Sequence, residues 1–349
     1  MSKKKNNHVK KIVAIVLVLA MVSGASGLFI FYRYVLQPNL AIQKPTHFYI
    51  ASGSTYDQVY QSLKEQNLLI RPSTFNWLSE QKNYHNRVLP GRYLLTPGMG
   101  NNALINLLRS GKQDPLMLTF NNIRTKEQLA AVISRNIEAD SASIMTLFND
   151  EALLAKYGHT RETSLLLFIP NTYEFFWNTS ARQLLDRMAQ EYDRFWNDHR
   201  IARAKQAGMT PVEAMILASI VQRETTRGDE MARIAGVYIN RLNRNMLLQA
   251  DPTVVYAIGD FTINRVLNRH LAVDSPYNTY KYPGLPPGPI GLPEPQVIDS
   301  VLNHESHEYL FFCARDDFSG YHAFARTYNE HLANARRYHR ALNQRQIMR

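Results

Sequence analysis

Residues 12–32, IVAIVLVLAMVSGASGLFIFY, run for 21 positions without a charge. A helix rising ~1.5 Å per residue crosses a ~30 Å hydrocarbon layer in that length, so this stretch constrains the rest of the chain more than any other. Small residues at Ala25-Ser26-Gly27 fit a signal-peptide cleavage site. The apolar region of a signal peptide is usually ~7–15 residues, however, and here Leu28-Phe-Ile-Phe-Tyr32 carries the run past that site. A retained single-pass anchor is therefore expected. Lys3, Lys4, Lys5, Lys10 and Lys11 precede the span and only Arg33 closely follows it. The positive-inside rule then keeps residues 1–11 in the cytoplasm and sends everything after about Arg33 outside. No cysteine follows the span closely enough for a lipid anchor.

At 349 residues the chain exceeds one average domain, and 45% hydrophobic residues supply a substantial core, which excludes a disordered protein. Lys and Arg number 40 against 29 Asp and Glu, a net charge of +11. Five of the lysines flank the span, and Arg336, Arg337, Arg340, Arg345 and Arg349 crowd the other end. What remains is weakly basic and implies no nucleic-acid partner. Cys313 is the sole cysteine, which excludes an intrachain disulfide and a cysteine-based metal cluster. Its setting, Tyr309-Leu-Phe-Phe-Cys-Ala-Arg315, resembles a buried strand, where a cysteine is a small apolar side chain.

The residue pattern predicts an α+β fold in two parts. A short polar linker with Pro38 and Pro45 leads away from the span. His47–Ile50 and Gly91–Leu95 have strand character. Tyr56, Val59, Tyr60 and Leu63 form a helical stripe behind a Ser52–Thr55 turn; Phe75, Trp77 and Leu78 mark a second helix, and residues 103–108 a third. Together they make a small module over 44–115. The larger part, 116–349, opens with the strand Leu116–Phe120 and a capping box of Thr125 with Gln128. It continues with helices over 211–226 and 229–243. Seven prolines make 271–295 a rigid extended loop; a strand over 309–314 and an amphipathic helix from Thr327 to about Leu342 follow.

Three clusters could carry chemistry. Ala214, Leu217, Val221 and Glu224 fall at i, i+3, i+7 and i+10 of one helix, so Glu224 extends an apolar face. Desolvation there would raise its pKa towards that of a general acid at neutral pH. The same spacing also suits a helix-end glutamate paired with Arg223, Arg227 or Arg241. Second, Leu248-Gln-Ala-Asp-Pro-Thr-Val-Val-Tyr256 brings together Gln249, Asp251 and Tyr256, and it also suits a plain turn in which Asp251 caps a helix starting at Pro252. Third, Tyr277-Asn-Thr-Tyr280 before Gly284-Leu-Pro-Pro-Gly-Pro-Ile290 offers aromatic faces and an amide suited to sugar rings, or serves as a crossover without a ligand. His304 and His307 lack the carboxylate or third ligand of a metal site, and His322 and His331 suit structural or substrate-facing roles. No metal or cofactor is expected.

Those clusters, in this order, resemble the MltG (YceG-like) family of endolytic murein transglycosylases. Ala218-Ser-Ile-Val-Gln-Arg-Glu-Thr225 is similar to the family's A-S-I-[IV]-E-K-E-T, which places the catalytic glutamate at Glu224. Val237-Tyr-Ile-Asn-Arg-Leu242, Phe168-Ile-Pro-Asn-Thr-Tyr173, His322-Ala-Phe324 and Glu330-His331 are similar to further family motifs. The resemblance implies a LysM-like first module and a catalytic second part. It implies a periplasmic or extracytoplasmic enzyme on the bacterial inner membrane that cuts nascent glycan strands, with peptidoglycan synthases as partners. Gln249, Asp251, Tyr256, Tyr277, Asn278 and Tyr280 would line its cleft. The chain departs from the pattern at Gln222 and Asn171, where the family has Glu and Asp, and at Ser164-Leu-Leu-Leu167, where it has a Glu-Gly pair. Those losses leave a second candidate, a catalytically weakened murein-binding scaffold.

Overall fold

The computed structural model describes residues 2–263 and 265–344; Arg345 and Arg349 of the basic C-terminal run lie outside them. The chain forms two compact units, Met1–Leu116 with Glu174–Asn178, and Met117–Tyr173 with Thr179–Arg349.

The first unit begins with helix α1 (Ser2–Phe31), whose apolar side chains are exposed. His8–Leu36 is the one stretch among the described residues long and apolar enough to cross a membrane. Over Tyr32–Leu36 the helix widens into a single π turn. The short polar stretch after it is packed into the module. Leu40 is buried in the module core, and isolated bridges join Pro38 to Gly100 and Leu40 to Leu69. The buried Asn39 side chain donates to Asn101 Oδ1 (2.6 Å) and accepts from the Arg71 N–H (2.7 Å). A polar stretch was legible; that its amides would satisfy buried backbone groups was not. Strand β1 (Thr46–Ile50) pairs antiparallel with β2 (Gly91–Leu95), Thr46 facing Leu95 and Ile50 facing Gly91. Helices α2 (Tyr56–Glu65), α3 (Pro72–Gln81) and α4 (Asn101–Ser110) pack with this hairpin around Phe48, Leu63, Phe75, Tyr93 and Leu104. Thr55 and Gln58 close a reciprocal capping box that starts α2.

Strands β3 (Leu116–Phe120) and β4 (Asn171–Phe175), most of whose residues belong to the second unit, form one two-stranded sheet. Helices α5 (Lys126–Ser134), α6 (Ser141–Asn149) and α7 (Glu151–Ala155) lie between them in sequence. The capping box expected at α5 is half made. Thr125 accepts from the Gln128 N–H, but the Gln128 side chain turns to the Arg124 N–H instead (2.9 Å).

Helices α8 (Ala181–Phe195) and α9 (Asp198–Gln206) lead to α10 (Pro211–Glu224), around which the unit is built. A full box of Thr210 and Glu213, with Pro211 in the first turn, fixes where α10 starts. Every residue from Ala214 to Val221 is buried, so α10 is a central helix rather than a one-sided amphipathic one. It packs against α9, α11 (Gly228–Asn243), α12 (Asp251–Ile258) and α14 (Pro295–Leu302).

The short α13 (Asn268–Leu271) precedes the proline-rich loop. Strands β5 (Phe311–Ala314) and β6 (His322–Ala325) form a hairpin, and α15 (Tyr328–Gln344) ends the described chain. Cys313 is only half-buried, as are its β5 neighbours, because the hairpin has no third strand.

Candidate active site

Glu224 is the last residue of α10, on the same face as Ala214, Leu217 and Val221. Among the described residues it forms none of the ion pairs that Arg223, Arg227 or Arg241 offered. Its Oε1 instead accepts a 2.5 Å hydrogen bond from the hydroxyl of Tyr238, a buried residue of α11. Burial pushes the Glu224 carboxyl up to about 7, and the neighbouring charge of Asp251 pushes the same way. The Tyr238 hydrogen bond and the charge of Arg241 pull it back only in part. Burial and Glu224 itself hold the Tyr238 phenol far above its ordinary pKa, so it remains a donor throughout.

Arg241 lies one turn beyond Tyr238 on α11. Its guanidinium donates to the carbonyls of Leu310 (2.6 Å), Leu248 (2.8 Å) and Leu247 (3.2 Å) and sits over the Phe311 ring. It thereby locks the approach to α12. Gln249, in that approach, has φ +51°, a left-handed conformation uncommon outside glycine. The strain is held by the Gln249 N–H bond to the Thr279 carbonyl (3.1 Å) and the Ala250 N–H bond to the Thr279 hydroxyl (3.0 Å). Asp251 does not cap α12; the cap position belongs to Ala250. The Asp251 carboxylate accepts from the Tyr280 hydroxyl at 2.5 Å instead.

Two cavities meet here. One, of about 380 Å³, is lined by Glu224, Asp251, Tyr256 and Phe261 with Arg124, Arg223 and Arg265. The other, of about 310 Å³, is lined by Glu224, Asp251, Tyr238, Arg241, Gln249, Tyr280, Phe311 and His331, among others. Glu224 and Asp251 belong to both walls, so the two carboxyl groups stand where the cavities adjoin. Tyr277 lies behind Tyr256, ring centroids 4.9 Å apart. Asn278 is placed differently from the cleft-lining position expected for it. It is fully buried, its amide donates to the Leu271 and Val273 carbonyls, and its Oδ1 accepts from the Tyr280 N–H. It shapes the loop that carries Tyr277 and Tyr280.

Of the departures from the expected pattern, Asn171 is exposed and lines neither cavity. Gln222 is a clamp: its Nε2 donates to the Leu292 carbonyl (3.2 Å) and its Oε1 accepts from the Glu294 N–H (2.6 Å). His322 pairs with the buried Glu230 at 2.9 Å, and His307 bonds the Arg233 carbonyl at 2.9 Å. Sequence reasoning missed Tyr238 and the arginines of the first cavity. The signal for Tyr238 was its place in the second of two helices joined by a three-residue turn, which folds it back onto the end of the first.

A carboxyl with a raised pKa on a wall shared by two adjoining cavities, in an α+β fold, is the arrangement of an acid–base enzyme. The profile of the YceG-like family matches residues 48–337, and the protein belongs to that family. An endolytic murein transglycosylase of Streptococcus pneumoniae serotype 2 (strain D39) is 28% identical over 363 residues, covering 94% of this chain and 65% of that relative's length. One of Bacillus subtilis (strain 168) is 27% identical over 336 residues, covering 91% of this chain and 92% of the relative. The crystal structure of a yceG-like protein from Listeria monocytogenes superposes with a TM-score of 0.56 at 27% identity, covering 84% of this chain and 99% of that one.

Proposed function

We propose that this protein is a membrane-anchored endolytic murein transglycosylase, with Glu224 as its single catalytic acid–base. The observation that carries this reading is the carboxyl of Glu224, held near a pKa of 7 between two cavities and hydrogen-bonded to a permanently protonated tyrosine. A glycan strand lying through both cavities would place one β-1,4 bond, between N-acetylmuramic acid and N-acetylglucosamine, at the join.

Protonated Glu224 gives its proton to the bridging oxygen as the C1–O bond breaks. The resulting carboxylate then takes the proton of the muramic acid 6-hydroxyl as that oxygen closes on C1. Products are a 1,6-anhydro-muramic end and a free 4-hydroxyl, and Glu224 returns to its starting state. The nucleophile is already part of the substrate, so no water has to be captured and oriented. Asp251, anchored by Tyr280, would stabilise positive charge developing at C1. Gln249, Tyr256 and Tyr280 line the strand's path, while Tyr277 and Asn278 support it from behind.

On this reading, residues 1–11 are cytoplasmic, 12–32 cross the bacterial inner membrane, 44–115 form the LysM-like module and 116–349 the extracytoplasmic cutting part. Cutting within nascent strands would limit glycan length beside the peptidoglycan synthases. Digestion of peptidoglycan followed by mass spectrometry tests the proposal. Fragments ending in 1,6-anhydro-muramic acid are expected. Reducing ends, heavier by one water, would make the chain a hydrolase with Asp251 as its base. No cleavage by the intact protein would leave the scaffold.

A further inference from the structure

The arginines of the first cavity play no part in that chemistry. Arg124 and Arg223 line it together, and neither forms an ion pair among the described residues. Arg223 Nη2 is shut off from solvent and has no hydrogen-bond partner among the described residues. Arg124 lies over the Phe261 ring at 4.7 Å, and its charge reinforces the burial that lowers the Arg223 pKa.

Arg241 shows how this fold treats an arginine with a structural job, giving its fork three backbone carbonyls and an aromatic face. Arg223 receives no such treatment, although an open donor on a buried cation is costly. Two adjacent uncompensated guanidinium groups on a cavity wall match a planar anion that accepts paired hydrogen bonds.

We propose that the Arg124–Arg223 wall binds a carboxylate of the glycan substrate, so that the enzyme selects muramic acid units bearing an anionic substituent. This inference rests on the transglycosylase reading. Murein offers carboxylates from two sources: the lactyl group of a muramic acid without peptide, and the peptide joined to that group.

Soluble glycan strands in three forms test it with the full-length protein: peptide-bearing, peptide-bearing with the carboxylates amidated, and stripped of peptide so that the lactyl carboxylate is free. The wild-type protein is expected to cut amidated strands with kcat/KM at least ~10-fold below that for native ones. Arg223→Gln and Arg124→Gln should each lose about that factor on native strands and lose nothing more on amidation. Neither substitution should lower the melting midpoint by more than about 2 °C, since among the described residues neither guanidinium has a carboxylate partner and Arg124 forfeits only its contact with the Phe261 ring. Stripped strands cut like native ones show that a free lactyl carboxylate satisfies the site as well as the peptide's does; cut like amidated ones, they assign the peptide carboxylate alone. Equal rates on native and amidated strands, with cutting still dependent on Glu224, overturn the carboxylate site and leave the enzyme standing. Full preference retained in both variants also overturns it. If the wild-type protein cuts no form, the transglycosylase reading falls and takes this inference with it.

Discussion

Glu224 ends a helix, and the C-terminal end of a helix dipole is a poor place for negative charge. Burial is the larger burden, and Tyr238 and Asp251 act on the carboxyl in opposite directions. Two substitutions should therefore move the alkaline limb of the pH–rate profile in opposite senses. On the proposed mechanism the acid works protonated, so activity should fall as pH rises through about 7. Tyr238→Phe removes the donor that favours the charged form and should carry the limb upward by about half a pH unit or more. Asp251→Asn removes the repelling charge and should carry it downward. Shifts in the same direction would show that neither residue sets the proton affinity. Glu224→Gln should cost ~10²–10⁴-fold or more in rate, because one residue handles both proton transfers. It should also stabilise the protein in a pH-dependent way. A carboxyl raised from 4.5 to about 7 contributes stability below 4.5 that is lost as pH rises through 7. The melting midpoint of the glutamine variant should thus exceed wild type by ~2 °C or more at pH 8 and match it at pH 4. The helical spacing of 214, 217, 221 and 224 made Glu224 legible in the sequence. Tyr238, and the inward turn of Asn278, were not legible, because both depend on which carbonyls and side chains the tertiary fold brings within reach.

Among the elements, α10 does more than present an acid. Ser219 and Gln222, one turn apart, hold the glycine–proline loop along its length: the Ser219 Oγ accepts from the Ile290 N–H (3.1 Å), and Gln222 grips Leu292 and Glu294. A glutamine suits this place, since an amide can donate at one end and accept at the other. Gln222→Glu should keep the bond from the Glu294 N–H, set a carboxylate oxygen against the Leu292 carbonyl, and lower the melting midpoint by roughly 2–4 °C. An unchanged or higher midpoint would remove the clamp from the account. Helices that announce themselves with caps, such as α2 and α10, were legible from local pattern. The proline content of 271–295 announced a non-helical loop, but Gln222 meets residues 70 and 72 positions away, and no local pattern encodes such a pair. The Asp251–Pro252 pair was misleading for the converse reason: a sound local cap was overridden by Tyr280, which claims the carboxylate.

For the molecule as a whole, the first check is topology. A reporter fused after residue 349 should work only on the outer face of the membrane, and one active only in the cytoplasm would reverse the proposed orientation. The junction between span and module carries a further consequence. Residues 37–41 are knitted into the module by the Asn39 and Ala41 backbone bonds to Met99 and Leu68, and the Asn101 amide reaches back to the Tyr34 carbonyl (2.8 Å). A Cβ on Gly100 would come within 2.5 Å of the Leu36 carbonyl oxygen. A transmembrane helix answers a thinner bilayer by leaning, often by ~20° from the normal. On a floppy tether that lean would end at the headgroups. On the proposed topology the module is bolted to the mast, so it would heel over with it, and the length of the surrounding lipid tails would set the angle at which the module faces the wall.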